Sequence, residues 1–170
     1  MRQISASQIR GLATNLEVEL NRLRQLELGM DLVKTEIVKD PERAFIYYES
    51  LALKLHNFYT GCEQIFRLII TEFNQTFPSG YDWHKRLLYQ MANQPEEMPA
   101  LLSQKTVIGL QAFLEFRYIV RHIYGFELDL QRVEKLVKTY PSVWHQFNQE
   151  VRQFIHKLRD LAEDIENNLI

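Results

Sequence analysis

One eight-residue stretch of this chain collects side chains that can bind phosphate and move protons. It contains two arginines, Arg117 and Arg121, together with His122, Tyr118 and Tyr124. Guanidinium groups bind phosphate through paired hydrogen bonds, and an imidazole exchanges protons near neutral pH. A phenol can stack, donate a hydrogen bond or accept a transferred group. The set therefore predicts phosphate chemistry, or the capture of a partner that carries a phosphate.

The same stretch has a simpler explanation as the end of a helix. We expect a helix that begins near Thr106, because apolar residues then recur at helical spacing, and that stops before Gly125. The negative end of a helix dipole favours cations, so arginine and histidine can stand there only as a cap. Residue types alone leave both explanations open.

The spacing of three of these residues resembles a known signature. Arg117, His122 and Tyr124 form the pattern R-x4-H-x-Y, which resembles the motif of the HEPN ribonuclease superfamily and, in its H-x-Y form, that of the HepT toxins. Longer segments resemble blocks of a HepT-like subfamily in the same order: YDWHKRLLYQM at 81–91, FR at 116–117 and RHIYGFELD at 121–129. Nucleases of the superfamily commonly have a polar residue after the motif arginine, and this chain has Tyr118 there.

The resemblance extends over residues 45–165 and carries implications for fold and activity. It implies an all-α, HEPN-like helical bundle, and a metal-independent endoribonuclease that acts as the toxin of a type VII (HepT/MNT) toxin–antitoxin system. In such systems MNT, a minimal nucleotidyltransferase, neutralises the toxin by adding AMP to the tyrosine of H-x-Y, which corresponds here to Tyr124. The resemblance also implies a homodimer whose paired motifs share a cleft.

The residue types of the motif suit RNA cleavage without a metal ion. One group must help the ribose 2′-hydroxyl to lose its proton, another must protonate the leaving oxygen, and cations must stabilise the charge that develops on phosphorus. His122 is the local residue suited to proton transfer, and Arg117 and Arg121 are suited to the charge. We therefore predict Arg117 and His122 as catalytic residues.

An unbroken helix would hold Arg117 and His122 apart. At ~100° per residue, five positions turn the two side chains about 140° away from each other. They can meet at one phosphate through the length of the arginine, through a loosened helix end, or through a second subunit. The last route agrees with the dimer that the resemblance implies.

A second candidate segment is a short helix expected at 83–93, with Asp82 as its cap. His84 and Lys85 lie in its first turn. They are either exposed polar residues or part of a groove that binds RNA or a partner. With Arg121 and Tyr118, they complete the candidate substrate-binding and phosphate-binding residues.

A second function from another class stays open. The chain could be a non-catalytic, nucleotide-binding helical partner subunit of a minimal nucleotidyltransferase. Tyr118, in place of a polar residue, favours this alternative, whereas the retained Arg117, His122 and Tyr124 favour the ribonuclease, which we prefer. Both functions predict a nucleotidyltransferase gene beside this one.

Composition limits the remaining possibilities. The 170 residues suffice for one domain, predicted to span 1–170 with a long N-terminal helix at 1–39 and a bundle core at 40–170. A net charge of −2 argues against a protein that coats nucleic acid, because such proteins are usually strongly basic. The single cysteine, Cys62, excludes an internal disulfide and a cysteine-rich zinc site, and we expect it in the core.

Several absences lead to further expectations. No residue spacing is typical of metal ligands, and we expect neither a metal nor a cofactor. No signal peptide opens the chain and no apolar run approaches ~20 residues, so we expect a cytoplasmic protein that does not enter a membrane.

Apolar residues at spacings of three and four predict four long helices and two short ones. Besides the two segments above, helices are expected at 9–37, 41–77, 130–138 and 141–168. Pro41 and Pro141 are expected to begin the second and the last of the long helices, and Asp129 to cap the short helix before the last. Gly61 is a weak point that permits close packing. A loop with two prolines is expected at 94–99.

Overall fold

The computed structural model describes residues 4–93, 100–124 and 127–167 and contains, within them, five α-helices and no strand. The helices are α1 (Ala6–Lys39), α2 (Ala44–Glu72), α3 (Trp83–Gln90), α4 (Gln104–Val120) and α5 (Leu130–Asn167), with a 3-10 turn at Pro41–Arg43 between α1 and α2. The predicted all-α bundle is confirmed. The loop predicted at 94–99 lies outside the described residues. None of the described helices has both the length and the apolar character needed to cross a membrane.

α1 is the long N-terminal helix that the sequence predicts. A capping box closes its first turn, because the side chains of Ser5 and Gln8 each bond the backbone N–H of the other. Its apolar stripe is buried against α2 and α5. α2 comes so close that a Cβ at Gly61 would lie 2.5 Å from Cδ2 of Leu23, which confirms the predicted close packing.

Two helices of the first half end earlier than predicted. α2 ends at Glu72 rather than at residue 77, because Asn74 adopts a left-handed conformation with φ 50°. Asparagine tolerates this conformation better than most residues. α3 ends at Gln90 rather than at 93, and the carboxylate of Asp82 makes no capping bond. It pairs with Arg86 instead, one turn into the helix, at 3.0 Å.

α5 is one continuous helix where the sequence predicts two. Asp129 caps it as predicted, with Oδ1 accepting a hydrogen bond from the N–H of Gln131 at 3.0 Å. The predicted break at Pro141 is wrong, because the helix runs through this residue. Proline removes one backbone hydrogen bond, but Tyr140 and Trp144 on either side are both buried. Their packing holds the helix together across the missing bond.

An aromatic core joins α2, α4 and α5 and fixes the helix that carries the motif. The ring of Phe58 on α2 meets Phe113 of α4 edge-on at 5.2 Å between centroids, and Tyr140 of α5 at 5.0 Å. Such pairs add stability beyond the area that they bury. Cys62 is buried in the same core, as predicted. The prediction that residues 1–170 form one domain stays a prediction.

Candidate functional site

The motif helix ends before the motif does. α4 ends at Val120, so the prediction that it continues to residue 124 is wrong. The N–H of His122 bonds the carbonyl oxygen of Ile119 at 3.0 Å, a spacing of three residues that tightens the last turn. His122 therefore lies in the turn after the helix, so this turn and not ideal helix geometry sets its direction relative to Arg117. Gly125, expected to stop the helix, lies outside the described residues.

Six of the predicted site residues line one cavity of about 880 Å³. They come from two places in the chain: His84 and Lys85 from α3, and Arg117, Tyr118, Arg121 and His122 from the end of α4 and the turn that follows. Arg132 of α5 also lines the cavity, although no sequence pattern selected it. The volume lies within the range of small-ligand pockets, roughly 300–1,000 Å³.

The lining of the cavity favours an anion. Four cationic side chains face two carboxylates there: Lys85, Arg117, Arg121 and Arg132 against Asp82 and Glu115. Asp82 is already paired with Arg86, which does not line the cavity. Within the described part of the chain, none of the four cations takes part in an ion pair. Uncompensated positive charge in a concave site attracts phosphate-bearing ligands.

His122 is held in a defined orientation by the residue one turn before it. Its Nδ1 lies 2.6 Å from the backbone carbonyl oxygen of Tyr118. A carbonyl oxygen can only accept, so Nδ1 carries the proton and donates it. The imidazole also lies against the Tyr118 ring, with centroids 4.4 Å apart. These contacts leave Nε2 as the ring nitrogen that can exchange a proton.

Arg117 is anchored to the neighbouring helix. Its Nε–H donates a hydrogen bond to Oγ1 of Thr60 on α2 at 3.3 Å. Anchoring through Nε leaves the two terminal nitrogens of the guanidinium for a ligand in the cavity that Arg117 lines. The contact fixes the position of the cation, as binding of a phosphate in one geometry requires.

His84 has a partner that sequence reasoning missed. Its Nδ1 lies 2.6 Å from Oε2 of Glu63 on α2. Glu63 is only 4% exposed, which is unusual for a carboxylate. The available signal was its position directly after Cys62 on the apolar face of α2. Of the two explanations for His84, the exposed polar residue is wrong: its side chain is 24% exposed and forms part of the cavity wall.

Behind this pair lies a second buried polar group. The phenol of Tyr59 is fully buried, and burial raises its pKa well above the ordinary value. The charges of Glu63 and Cys62 raise that pKa further, and Arg117 opposes them. Tyr59 is therefore a neutral residue beneath the cavity at all moderate pH values.

Comparison with known protein families identifies the family of this chain. A family model described as HepT-like protein matches residues 50–158, more than half of the chain. The chain belongs to the HepT-like family of the HEPN superfamily. Every residue that lines the cavity falls within the matched range, whereas α1 lies outside it. No curated protein and no solved structure matches this HepT-like chain.

The last residue of the HepT-like motif stands apart from the others. Tyr124 is 71% exposed and does not line the cavity. Its backbone N–H donates to Oε2 of Glu127 at 3.2 Å, and α4 ends four residues before it. The sequence predicted a phenol outside any packed stripe, and its exposure agrees with that prediction. Two exposed aromatic rings of this region do line the cavity: Tyr81 at 99% and Tyr118 at 66%.

Proposed function

We propose that this HepT-like protein is a metal-independent endoribonuclease, the toxin of a type VII toxin–antitoxin system. The observation that carries the proposal is the cavity itself. Two arginines that form no ion pair with the described residues, Arg117 and Arg121, line it together with His122, whose ring presents Nε2 for proton transfer. This combination suits a reaction that moves a proton beside a phosphate and builds negative charge on it.

In the proposed reaction RNA supplies its own nucleophile. Nε2 of His122 takes the proton of a ribose 2′-hydroxyl, and the 2′-oxygen attacks the adjacent phosphorus. Arg117 and Arg121 stabilise the pentacoordinate phosphorane through charge-assisted hydrogen bonds. The bond from phosphorus to the 5′-oxygen then breaks and that oxygen takes up a proton, so the products are a strand that ends in a 2′,3′-cyclic phosphate and a strand that begins with a 5′-hydroxyl. Lys85, which also lines the cavity, contacts a neighbouring phosphate of the RNA.

The proposed enzyme works as a homodimer, with the α4 helix of each protomer near the interface. The exposure of α4 supports this arrangement: Ile108 is 69% exposed, and Tyr118 on the same helix is 66% exposed. Exposed apolar side chains on a helix that also carries site residues are typical of surfaces that bind another protein.

The proposed regulation is AMPylation by a minimal nucleotidyltransferase antitoxin. Tyr124 is the proposed acceptor, and its exposure would let a second protein reach its phenol oxygen. The attached AMP adds bulk and negative charge beside a site whose substrate is itself an anion. Modification would thereby block RNA binding without changing the fold.

The decisive experiment is a cleavage assay on the purified chain. Radiolabelled RNA is incubated with the protein in the presence of EDTA, and the new ends are identified by their chemistry. We expect cyclic phosphate and 5′-hydroxyl ends at an unchanged rate with the chelator. Intact RNA over a wide range of protein concentration would contradict the proposal.

One observation favours a second function. The ring of Tyr118 is exposed, lines the cavity and already lies against an imidazole. A nucleobase could stack on this ring, as expected of a subunit that binds a nucleotide for a partner nucleotidyltransferase. Binding of AMP or ATP by calorimetry, in a chain that leaves RNA intact, would support this alternative.

A further inference from the structure

Both histidines of the cavity are held in the same way, by an acceptor 2.6 Å from Nδ1. For His122 the acceptor is a backbone carbonyl oxygen, and for His84 it is the carboxylate of Glu63. We propose that His84 is the second catalytic residue, the general acid that protonates the leaving 5′-oxygen, and that Glu63 positions it. This inference rests on the proposed ribonuclease activity.

Glu63 has a buried carboxylate, which is rare for a side chain that carries a charge. It is 4% exposed on the core face of α2, and removing a charge from water costs free energy unless a partner compensates it. Within the described residues its hydrogen-bond partner is Nδ1 of His84. The helix that carries His84 is in turn fixed by the buried side chains of Leu87 and Leu88.

The contact with Glu63 determines which edge of the imidazole meets a ligand. An ionised carboxylate only accepts, so Nδ1 of His84 carries a proton and points toward α2. Nε2 is then the ring nitrogen left for the cavity that His84 lines. The ring of Trp83 stacks on the imidazole at 3.5 Å between centroids, and the Arg67 guanidinium lies 5.3 Å from the Trp83 ring. These contacts restrict the imidazole to one orientation.

The two acceptors suit two different roles. A carboxylate forms a charge-assisted hydrogen bond to a doubly protonated imidazole, which is the form that can donate a proton from Nε2. A neutral carbonyl oxygen offers no such charge, and it orients a neutral imidazole whose Nε2 accepts. His84 is therefore the acid and His122 the base.

The step balances without any further reactant. Nε2 of His122 gains the proton of the 2′-hydroxyl as the 2′-oxygen forms its bond to phosphorus. The bond from phosphorus to the 5′-oxygen breaks, its electron pair stays on that oxygen, and Nε2 of His84 supplies the proton. One proton has entered at His122 and one has left at His84, and exchange with water restores both residues.

A sulfur-substituted substrate tests whether His84 acts as the general acid or contributes to cleavage in another way. Sulfur in place of the 5′-bridging oxygen leaves as a thiolate and needs no proton, because a thiol is far more acidic than an alcohol. The probe is a short RNA with this substitution at the bond that the wild-type chain cuts fastest, compared with the all-oxygen RNA. The variant is His84→Asn, whose amide nitrogen can still donate to Glu63.

We expect His84→Asn to lose about 100-fold or more in kcat on the oxygen RNA and to cut the sulfur RNA at nearly the wild-type rate. His122→Ala should be slow on both RNAs, because the base is still needed. Glu63→Gln should lower kcat on the oxygen RNA by roughly 10-fold or more, leave KM unchanged, and recover on the sulfur RNA. The matched control is His156→Ala, an exposed histidine of α5 outside the cavity.

The outcomes are distinguishable. If circular dichroism shows that His84→Asn is folded and its kcat falls equally on both RNAs, the general-acid role is wrong. The proposed ribonuclease activity is then still supported. If the wild-type chain cuts neither RNA, the ribonuclease proposal and this inference both fail. Should His84→Asn not fold, Glu63→Gln, which keeps the size of the side chain, gives the same comparison.

Discussion

The imidazole of His122 and the backbone of Tyr118 are joined by a 2.6 Å hydrogen bond from Nδ1 to the carbonyl oxygen. Because the acceptor is a backbone atom, the bond does not depend on which side chain occupies position 118. The polar residue common after the motif arginine in HEPN nucleases is therefore not required to orient this histidine. Tyr118 changes the surface offered to a ligand and leaves the direction of Nε2 as it is.

The first prediction is that His122→Ala abolishes RNA cleavage and growth toxicity while the fold survives. The loss should be about 100-fold or more, the usual contribution of a positioned acid or base. His122 is exposed and lies after α4, so the free energy of unfolding should change by less than ~0.5 kcal/mol. Cleavage rates and urea unfolding measure the two effects. Full activity in a folded variant would exclude the catalytic role.

Arg117 provides a test of geometry as distinct from charge. Arg117→Lys keeps the charge but loses the planar fork and the Nε contact to Thr60. We expect it to be as impaired as Arg117→Ala, at roughly 100-fold. Thr60→Val, which removes the anchor at constant size, should cost only a few-fold. Wild-type rates in Arg117→Lys would show that charge alone suffices and would contradict the predicted phosphate geometry.

The homodimer remains a prediction and is tested in solution. Sedimentation at micromolar concentration should give a mass near twice 20.3 kDa. Ile108→Glu places a charge on the exposed face of α4 and should shift the equilibrium toward monomer. Val38→Glu, at an even more exposed apolar position on α1, is the control and should leave the equilibrium unchanged. A strict monomer for the wild-type chain would exclude a cleft shared between two copies.

Two glycines with opposite surroundings test how α1 packs on α2. In Gly61→Ala the new methyl group would meet Leu23 at 2.5 Å, and we expect a destabilisation of ~1–3 kcal/mol. In Gly11→Ala no atom of the described residues lies within 4 Å of the new atom, so the better helix propensity should stabilise the fold by ~0.5–1 kcal/mol. Urea unfolding of both variants measures the difference. Equal changes in the same direction would mean that the helices are not in close contact at Gly61.

The predicted elements are correct where local spacing determines the structure and wrong where packing between distant parts of the chain determines it. Apolar periodicity correctly predicted the long stripe of α1, because local spacing determines which face of a helix is buried. The glycine within α2 correctly predicted the close contact at Gly61. Sequence reasoning failed at Pro141, where burial of neighbouring aromatic side chains outweighs a local helix breaker. It also placed the end of α4 four residues too late.

The residues of the candidate site likewise fall into those that local spacing selects and those that only tertiary packing brings together. The motif spacing selected Arg117 and His122 because both lie in one short segment. The contact between Glu63 and His84 joins residues that are 21 positions apart on different helices, and no local pattern encodes it. The role of Arg132 in the cavity lining likewise depends on how α5 packs against α4.

The last prediction concerns the residue that accepts AMP. Co-expression with the nucleotidyltransferase that we predict to be encoded beside this chain should add the mass of one or more AMP units to it. Tyr124→Phe should prevent the addition without unfolding the protein, since the side chain is 71% exposed. The matched control is Tyr118→Phe, which removes a phenol of similar exposure that lines the cavity. Intact-protein mass spectrometry followed by peptide mapping measures both variants.

The exposure of each tyrosine determines whether a transferase can reach its phenol oxygen. A transferase must bring ATP to the phenol oxygen, so the fully buried Tyr59 and Tyr140 should never be modified in the folded chain. Burial also raises the pKa of both phenols, which makes them poorer nucleophiles than an exposed tyrosine. Tyr81 and Tyr118 are also largely exposed, but both line the cavity, whereas Tyr124 lies outside its lining and within H-x-Y. AMP on either of those two residues, with Tyr124 unmodified, would contradict the assignment of Tyr124. The acceptor would then be a residue of the cavity wall, and its modification would block the site directly.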